Sequence, residues 1–405
     1  MQIKPILAAL RRHRLATLLI AMEIALACAV LCNACFLVAR RWTMIQINSG
    51  VDESSLAVLT VNGFDPNQAA DVNARMLTGL RSIPGVQSAT LISEVPFGPQ
   101  TGAAGVTHEP GDFKNLIGVV DFVLAGPGTF KALGLKLVEG RLPQPDDYRP
   151  ATSFLPDDAQ VLVTRQWAEH AWPGENPLGK DFWCDKMHFR VMGVVDHYAR
   201  AQPSQYDLQQ GEWTVFTPVV PGGSLAGTYL LRARPQDVQR VLQAARAAVP
   251  KIAPDVVLDQ DNSKTLGDLR MNYFKTDRIM IGLLLGVVVL MLGVTALGIV
   301  GLTSFWVAQR RKQIGIRRAI GATRGDILRY FQTENFLIVT FGIALGMLLA
   351  FVLNAVLMKF YELPHLPLYY LPVGALVLWG LGQLAVLGPA LRAAAVPPVV
   401  ATRSV

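Results

Sequence analysis

With 51% of its 405 residues hydrophobic and only 17% charged, the chain is too apolar for a purely soluble protein. A cytosolic enzyme, a disordered chain and a collagen-like fibre are therefore excluded. The net charge of +7 would also suit a nucleic-acid binder, but the surplus sits beside apolar runs, where membrane topology accounts for it, so no nucleic-acid partner is expected.

Residues 1–14 carry Lys4, Arg11, Arg12 and Arg14 without an acid and lead into a first apolar run, 15–38. Its 24 residues exceed the roughly 20 needed to cross a hydrocarbon core. The run is also longer than a signal-peptide core and continues past any small-residue cleavage site, so a retained anchor is predicted. Cys28, Cys32 and Cys35 fall at i, i+4 and i+7 on one stripe, which offers too few ligands for a metal and suits close helix packing. Glu23 is ionisable within the span, and two readings stand: a functional intramembrane group, or a protonated or hydrogen-bonded carboxyl facing other helices.

Residues 42–278 have the composition of a soluble domain, punctuated by Gly and Pro. An apolar strand at 56–61, a helical pattern at 67–80 and a second strand at 86–92 after Pro84-Gly85 make a β-α-β unit. The pattern recurs at 229–232, 238–248 and 256–258, which predicts a split, ferredoxin-like layer with a subdomain inserted over about 126–220. Strands are expected inside the insertion at 160–163, 188–195 and 213–218.

Chemical motifs in this domain are weak. Gly174-Glu-Asn-Pro-Leu-Gly179-Lys180-Asp181 nearly matches a phosphate-cradling loop, yet it has Asp where a hydroxyl should hold magnesium, an internal proline and no preceding strand, so a tight turn is predicted. Cys184, His188 and His197 with Asp185 or Asp196 do not have the spacing of a compact zinc site. Cys184 has no disulfide partner in the domain. No catalytic residue and no metal site is expected.

Three further apolar runs follow at 279–305, 336–358 and 371–391, of 27, 23 and 21 residues. The loop at 306–335 carries Arg310, Arg311, Lys312, Arg317, Arg318, Arg324 and Arg329 against Asp326 and Glu334. The tail, 392–405, has Arg392 and Arg403, whereas the loop at 359–370 balances Lys359 with Glu362. Lys and Arg are retained on the cytoplasmic side, so both termini and the basic loop are predicted inside and the large domain outside. Arg40 and Arg41 break the rule but are outnumbered by the N-terminal charges. The fold class is a membrane protein of four transmembrane α-helices with a large α+β domain inserted between helices 1 and 2.

The second run alone makes a helix about 40 Å long, more than the roughly 30 Å core. If residues 264–278 continue it outward the rod is longer still, and the first run can likewise extend through 40–42; two such rods would form a stalk. Gly282-x-x-x-Gly286 and Gly342-x-x-x-Gly346 supply small helix faces, for which a dimer seam and contacts within one protomer both fit.

Three segments in order carry a family resemblance. From Gly126 the chain reads GPGTFKALGLKLVEGRLPQPDD, then QVLVTRQWAEHAWPGENPLGKDF and FRVMGVVDHY; residues 309–326 read QRRKQIGIRRAIGATRGD; residues 389–403 read PALRAAAVPPVVATR. These resemble the outer-domain core, the R-x-E-I-G-I-R-x-A-x-G-A segment and the closing segment of the MacB/FtsX-type ABC transporter permeases. Gln313 departs from the family's acidic residue, and Pro397-Pro398 from its Asp-Pro.

The resemblance implies a bacterial inner-membrane permease with a periplasmic domain, working as a homodimer or heterodimer on a pair of ATP-binding subunits. Here the ATP-binding subunit is expected to be a separate polypeptide holding the ATP and magnesium; no cofactor is expected on this chain, and a periplasmic adaptor is a further expected partner. ATP-driven closure would move the stalk and outer domain to export or extract a peptide, lipoprotein or hydrophobic compound. Regulation of a periplasmic cell-wall hydrolase, or ligand sensing without an ATPase, are the other readings. The coupling contact is placed at Ile314, Gly315, Ile316, Arg317, Arg318, Ala319, Ile320 and Gly321, with Ile314, Ile316, Ala319 and Ile320 as apolar knobs for a groove of the ATPase and Arg317 and Arg318 as their rim. Topology enforcement and anionic-lipid binding are the alternative role of these arginines.

Overall fold

A computed structural model describes residues 14–151, 153–203, 210–361 and 365–396. Lys4, Arg11, Arg12, Glu362, Pro397, Pro398 and Arg403 lie outside the described residues. The chain divides into two compact units, Met1–Thr43 with Asp277–Val405, and Met44–Thr276. Helix α1 (Arg14–Ile45) has 32 residues and continues through Arg40, Arg41 and Trp42.

The unit Met44–Thr276 begins with β1 (Leu56–Asn62), α2 (Ala69–Arg81) and β2 (Ser88–Leu91). It continues through β3 (Ala103–Thr107), β4 (Leu116–Ala125), α3 (Thr129–Leu133), β5 (Leu137–Gly140), β6 (Asp158–Thr164), α4 (Arg165–Ala171), β7 (Asp181–Cys184), β8 (Met187–Val195) and β9 (Thr214–Pro218). It closes with β10 (Thr228–Arg232), α5 (Val238–Ile252), β11 (Val257–Asp259) and α6 (Leu266–Tyr273).

The two predicted β-α-β copies join in one antiparallel sheet of order β11-β1-β10-β2, the ferredoxin-like arrangement. Successive strand residues point to opposite faces. In β1, Ala57, Leu59 and Val61 therefore share a core with Val72, Met76 and Leu80 of α2 and Val241, Leu242 and Ala245 of α5. Leu56 and Val58 join a second core with Phe130, Leu133, Leu266 and Leu269. Both faces of the strand are covered, which explains its nearly unbroken apolar run.

The second sheet has the order β5-β8-β6-β9-β4-β3-β7, and β7 also pairs with β8, so six of its strands close on themselves. Its aromatic filling is Phe122, Phe182 and Phe189 with Trp167 of α4, at ring-centroid separations of 4.9 to 5.4 Å. The sheet begins at β3, well before residue 126, which corrects the expected insertion boundary. The parallel pairing of β4 with β9, set by chain far downstream, recruits that earlier segment.

A second correction concerns 264–278. The chain is not one continuous helix there: α6 ends at Tyr273, Phe274 breaks the ladder at φ −88° and ψ 10°, and α7 (Lys275–Gln309) starts afresh. Phe274 is fully buried among apolar side chains of the inserted domain, and that burial holds the break.

The other unit adds α7, α8 (Arg311–Ala319), α9 (Arg324–Tyr361) and α10 (Tyr370–Ala394) to α1. Among the described residues α1, α7, α9 and α10 are the four helices long and apolar enough to cross a membrane. A Cβ at Gly342 would come within 2.8 Å of Ile24 Cβ, one at Gly346 within 2.5 Å of Cys28 Cβ, and one at Gly374 within 2.7 Å of Cys32 Sγ. Small residues on α1, α9 and α10 thus let three backbones approach closely. Asn33 Nδ2 donates to Ala350 O at 3.1 Å and Asn335 Nδ2 to Gly382 O at 2.9 Å, satisfying polar groups that lipid would leave unpaired. Helix α7 is the least covered, with 11% of its apolar window buried against 33 to 44% in the others.

Candidate functional site

The basic segment between α7 and α9 is built from local signals. Helix α8 ends in a Schellman motif: Gly321 at φ +106° donates to Arg318 O at 3.2 Å, and Ala322 N donates to Arg317 O at 3.0 Å. A side chain in that left-handed conformation would be strained, so the position calls for glycine. Two residues on, Thr323 opens α9 with a capping box: Asp326 N donates to Thr323 Oγ1 at 3.2 Å, and Thr323 N donates to Asp326 Oδ2 at 2.9 Å. The reversal from α8 into α9 is therefore fixed within six residues.

Tertiary contacts decide which side of α8 is free. Ile314 and Gly315 face inward, and Ile314 packs with Val307, Ile327, Phe331 and Ala390. Arg317 lies 5.0 Å over the Tyr330 ring, and Arg318 Nη1 donates to Val396 O at 2.6 Å. Ile316 and Ile320 are 45% and 81% exposed, and Ala319 is exposed beside them. Positions i, i+3 and i+4 share one helix face, so these three form a continuous apolar stripe. The predicted knob set is thus split: Ile314 belongs to the protein's own core, because three neighbouring helices converge on it, and the two arginines are engaged within the chain.

Beneath α8 lies a pair that the sequence had offered only as loop charges. Arg310 Nη1 donates to both carboxylate oxygens of Glu334, at 3.1 and 3.0 Å, and to Tyr330 Oη at 3.4 Å. Trp306 lies under the guanidinium, 5.5 Å from its carbon to the ring centroid. The remaining predicted positions separate. Gly342 and Gly346 meet α1 of the same chain, while Gly282 and Gly286 have nothing within 4 Å of a Cβ built on them. Glu23 places Oε2 2.6 Å from where a Gly298 Cβ would be, so that glycine makes room for it on α7.

In the inserted domain, Gly174 and Gly179 adopt φ +75° and +77°, and Lys180 is paired with Glu175. His188 bonds Asp158 and Asp181 at 2.8 and 2.9 Å, and His197 bonds Glu212 at 2.9 Å. Among the described residues no three His, Cys, Asp or Glu side chains gather as a metal ion requires.

A buried polar network escaped the sequence reading. Asp121 and Arg200 are fully buried and 2.5 Å apart, and Gln100 Nε2 donates to the same Asp121 oxygen at 2.7 Å. Glu94, 2% exposed, accepts from Thr101 N and Oγ1 at 2.6 and 3.0 Å. Burial first, then the negative charge of Asp121, pushes the Glu94 carboxyl up to about 8 against the opposing pull of the Thr101 hydrogen bonds. Five residues spread over two loops and a strand leave no local pattern for sequence inspection to detect.

Residues 285–398 match the family model described as FtsX-like permease C-terminal. The chain is 26% identical over 307 residues to the macrolide export ATP-binding/permease protein MacB of Aggregatibacter actinomycetemcomitans, covering 74% of this chain and 44% of that protein. It is 25% identical over 361 residues to the same-named protein of Sodalis glossinidius, covering 85% of this chain and 51% of that protein. The chain thus spans about half the length of the curated relatives it matches. Against the crystal structure of the periplasmic region of MacB from Actinobacillus actinomycetemcomitans the TM-score is 0.35 at 19% identity, covering 53% of this chain and 93% of that one.

Proposed function

From the premise that this chain belongs to the MacB/FtsX-type ABC permeases, we propose that it is the force-transmitting membrane subunit of an ATP-driven transporter that exports or extracts a peptide, lipoprotein or hydrophobic compound on the periplasmic side. In this reading the chain sits in the bacterial inner membrane with α8 and both termini cytoplasmic and Met44–Thr276 periplasmic. The charge asymmetry of the loops supports that orientation. ATP and magnesium are bound by a separate ATP-binding subunit, and two permease chains, alike or different, work together.

One observation carries the reading: α8 is anchored on one side by Ile314 and on the other presents Ile316, Ala319 and Ile320 as an uncovered apolar stripe amid exposed Arg311, Lys312 and Arg324. A short helix held this way suits insertion into a groove of the ATP-binding subunit. Topology can draw on the other basic residues, but a docked isoleucine has no substitute. The test is Ile316→Asp, which would bury an unpaired charge in such an interface. It should leave membrane insertion intact while weakening co-purification of the ATP-binding subunit or uncoupling hydrolysis from transport. Normal association and transport by a properly inserted variant would place the coupling elsewhere.

A further inference from the structure

The loop joining β2 to β3 carries an outlier. Gly98 N donates to Val95 O at 3.1 Å, closing a turn whose central residues are Pro96 and Phe97, and Phe97 adopts φ +65°. Turns of this kind place glycine or asparagine at the left-handed position, and a bulky aromatic there is strained. Such strain persists only where surrounding contacts overdetermine it.

The contacts around Phe97 converge on the two ends of the inserted domain. Its ring is 4% exposed and lies 5.5 Å from that of Phe274 and 6.0 Å from that of Tyr273. The Arg270 guanidinium stacks 5.0 Å above it. That same guanidinium donates through Nη2 to Ile45 O and Ile47 O at 2.7 and 2.6 Å, and through Nη1 to Glu53 at 2.5 Å. Arg270 therefore fastens the chain leaving α1 to the chain that precedes α7, with Phe97 as its lid. At the far side of the loop, Thr101 is held by the buried Glu94. The planar fork matters, because a lysine offers neither the stacked face nor the fixed donors.

Building on the transport reading above, we propose that Arg270 and Phe97 are positioning residues that lock the two ends of the inserted domain to each other as one joint, so that nucleotide-driven movement arriving along the chain is passed into the domain. The strain at Phe97 is the backbone cost of putting an aromatic ring where the guanidinium needs a lid.

The experiment uses the full chain assembled with its ATP-binding subunit in lipid nanodiscs, with hydrogen exchange followed with and without a non-hydrolysable ATP analogue and magnesium. Nucleotide is expected to change exchange in residues 93–102 of the wild type. Phe97→Gly keeps the positive φ but removes the ring, and Arg270→Ala removes the clamp. Both should abolish that response and speed exchange over 45–53 at least tenfold, with ATP hydrolysis and the protection of β1 and β10 unchanged. Arg270→Lys should not restore the response. Phe97→Leu, which keeps apolar bulk, guards against a general packing effect: it should retain fold protection yet lose at least half of the response. Persistence of the nucleotide response in Phe97→Gly and Arg270→Ala would overturn the joint while leaving the transport reading standing. A wild type without any nucleotide response would overturn the transport reading and the joint together.

Discussion

Arg310 and Glu334 form an ion pair in which the carboxylate is 1% exposed and both of its oxygens accept from one guanidinium nitrogen. The pair ties the end of α7 to α9 beneath α8. Removing one partner leaves a charge buried without compensation, so Glu334→Ala should cost about 3 kcal/mol. In detergent its unfolding midpoint should fall clearly, while Glu334→Gln, which can still accept a hydrogen bond, should lose less than half as much. An unchanged midpoint for Glu334→Ala would show that the pair does not hold these helices together.

The two glycine pairs should behave differently. A side chain at Gly346 meets Cys28 Cβ at 2.5 Å and Ala25 O at 2.7 Å, so Gly346→Val should destabilise the folded chain by roughly 1–3 kcal/mol through overpacking. Gly286 faces open space, so Gly286→Val should unfold at the wild-type temperature. If two copies meet along α7, that variant should show a reduced cross-linked dimer fraction in membranes. Wild-type cross-linking would place the dimer contact on another surface.

Glu94 should give the chain an alkaline weakness. Its carboxyl is raised in the fold from the ordinary 4.5 to about 8, so its neutral form is the one that the interior accommodates. The stability it contributes is therefore complete below the unfolded value and is lost as pH rises through the folded one, on the order of a few kcal/mol in all. Wild-type unfolding midpoints should decline between about pH 5 and pH 8. In Glu94→Gln that part of the decline should vanish. Parallel pH profiles for the two proteins would argue that Glu94 stays ionised in the fold.

Orientation is open to a direct check. A reporter that works only outside the cytoplasm should be active when fused after Gly140 and inactive when fused after Gly321. The prediction follows from Arg310, Arg311, Lys312, Arg317, Arg318, Arg324 and Arg329 all lying in one loop. The reverse pattern would put α8 on the wrong side for a cytoplasmic ATPase.

The turn at Gly174 to Lys180 should prove structural. Lys180 pairs at the surface with Glu175, a solvent-screened contact that contributes little to stability. Lys180→Ala should thus leave ATP hydrolysis by the assembled complex unchanged and shift the unfolding midpoint only slightly. Abolished hydrolysis would reinstate a phosphate-binding role.

What the sequence determined on its own was whatever is written locally along the chain. Apolar length marks the four long helices, short apolar runs around a helical pattern mark the two β-α-β copies, and Gly321 with Thr323-x-x-Asp326 is as local a signal for the turn from α8 into α9. Tertiary structure decided everything that depends on what comes to lie opposite. Short strands such as β3 and β5 carry little pattern, and β3 joins the second sheet because β4 and β7 supply its partners. Gly282-x-x-x-Gly286 and Gly342-x-x-x-Gly346 read alike, yet only the second is covered by α1 within the chain. Ile314 and Ile316 stand two residues apart, and the converging Ile327, Phe331 and Ala390 bury one and leave the other to solvent. Phe97, Arg270 and Glu94 acquire their roles in the same way: the free energy of a buried ring or charge is set by its neighbours in space, and those neighbours are contributed by segments far apart in the chain.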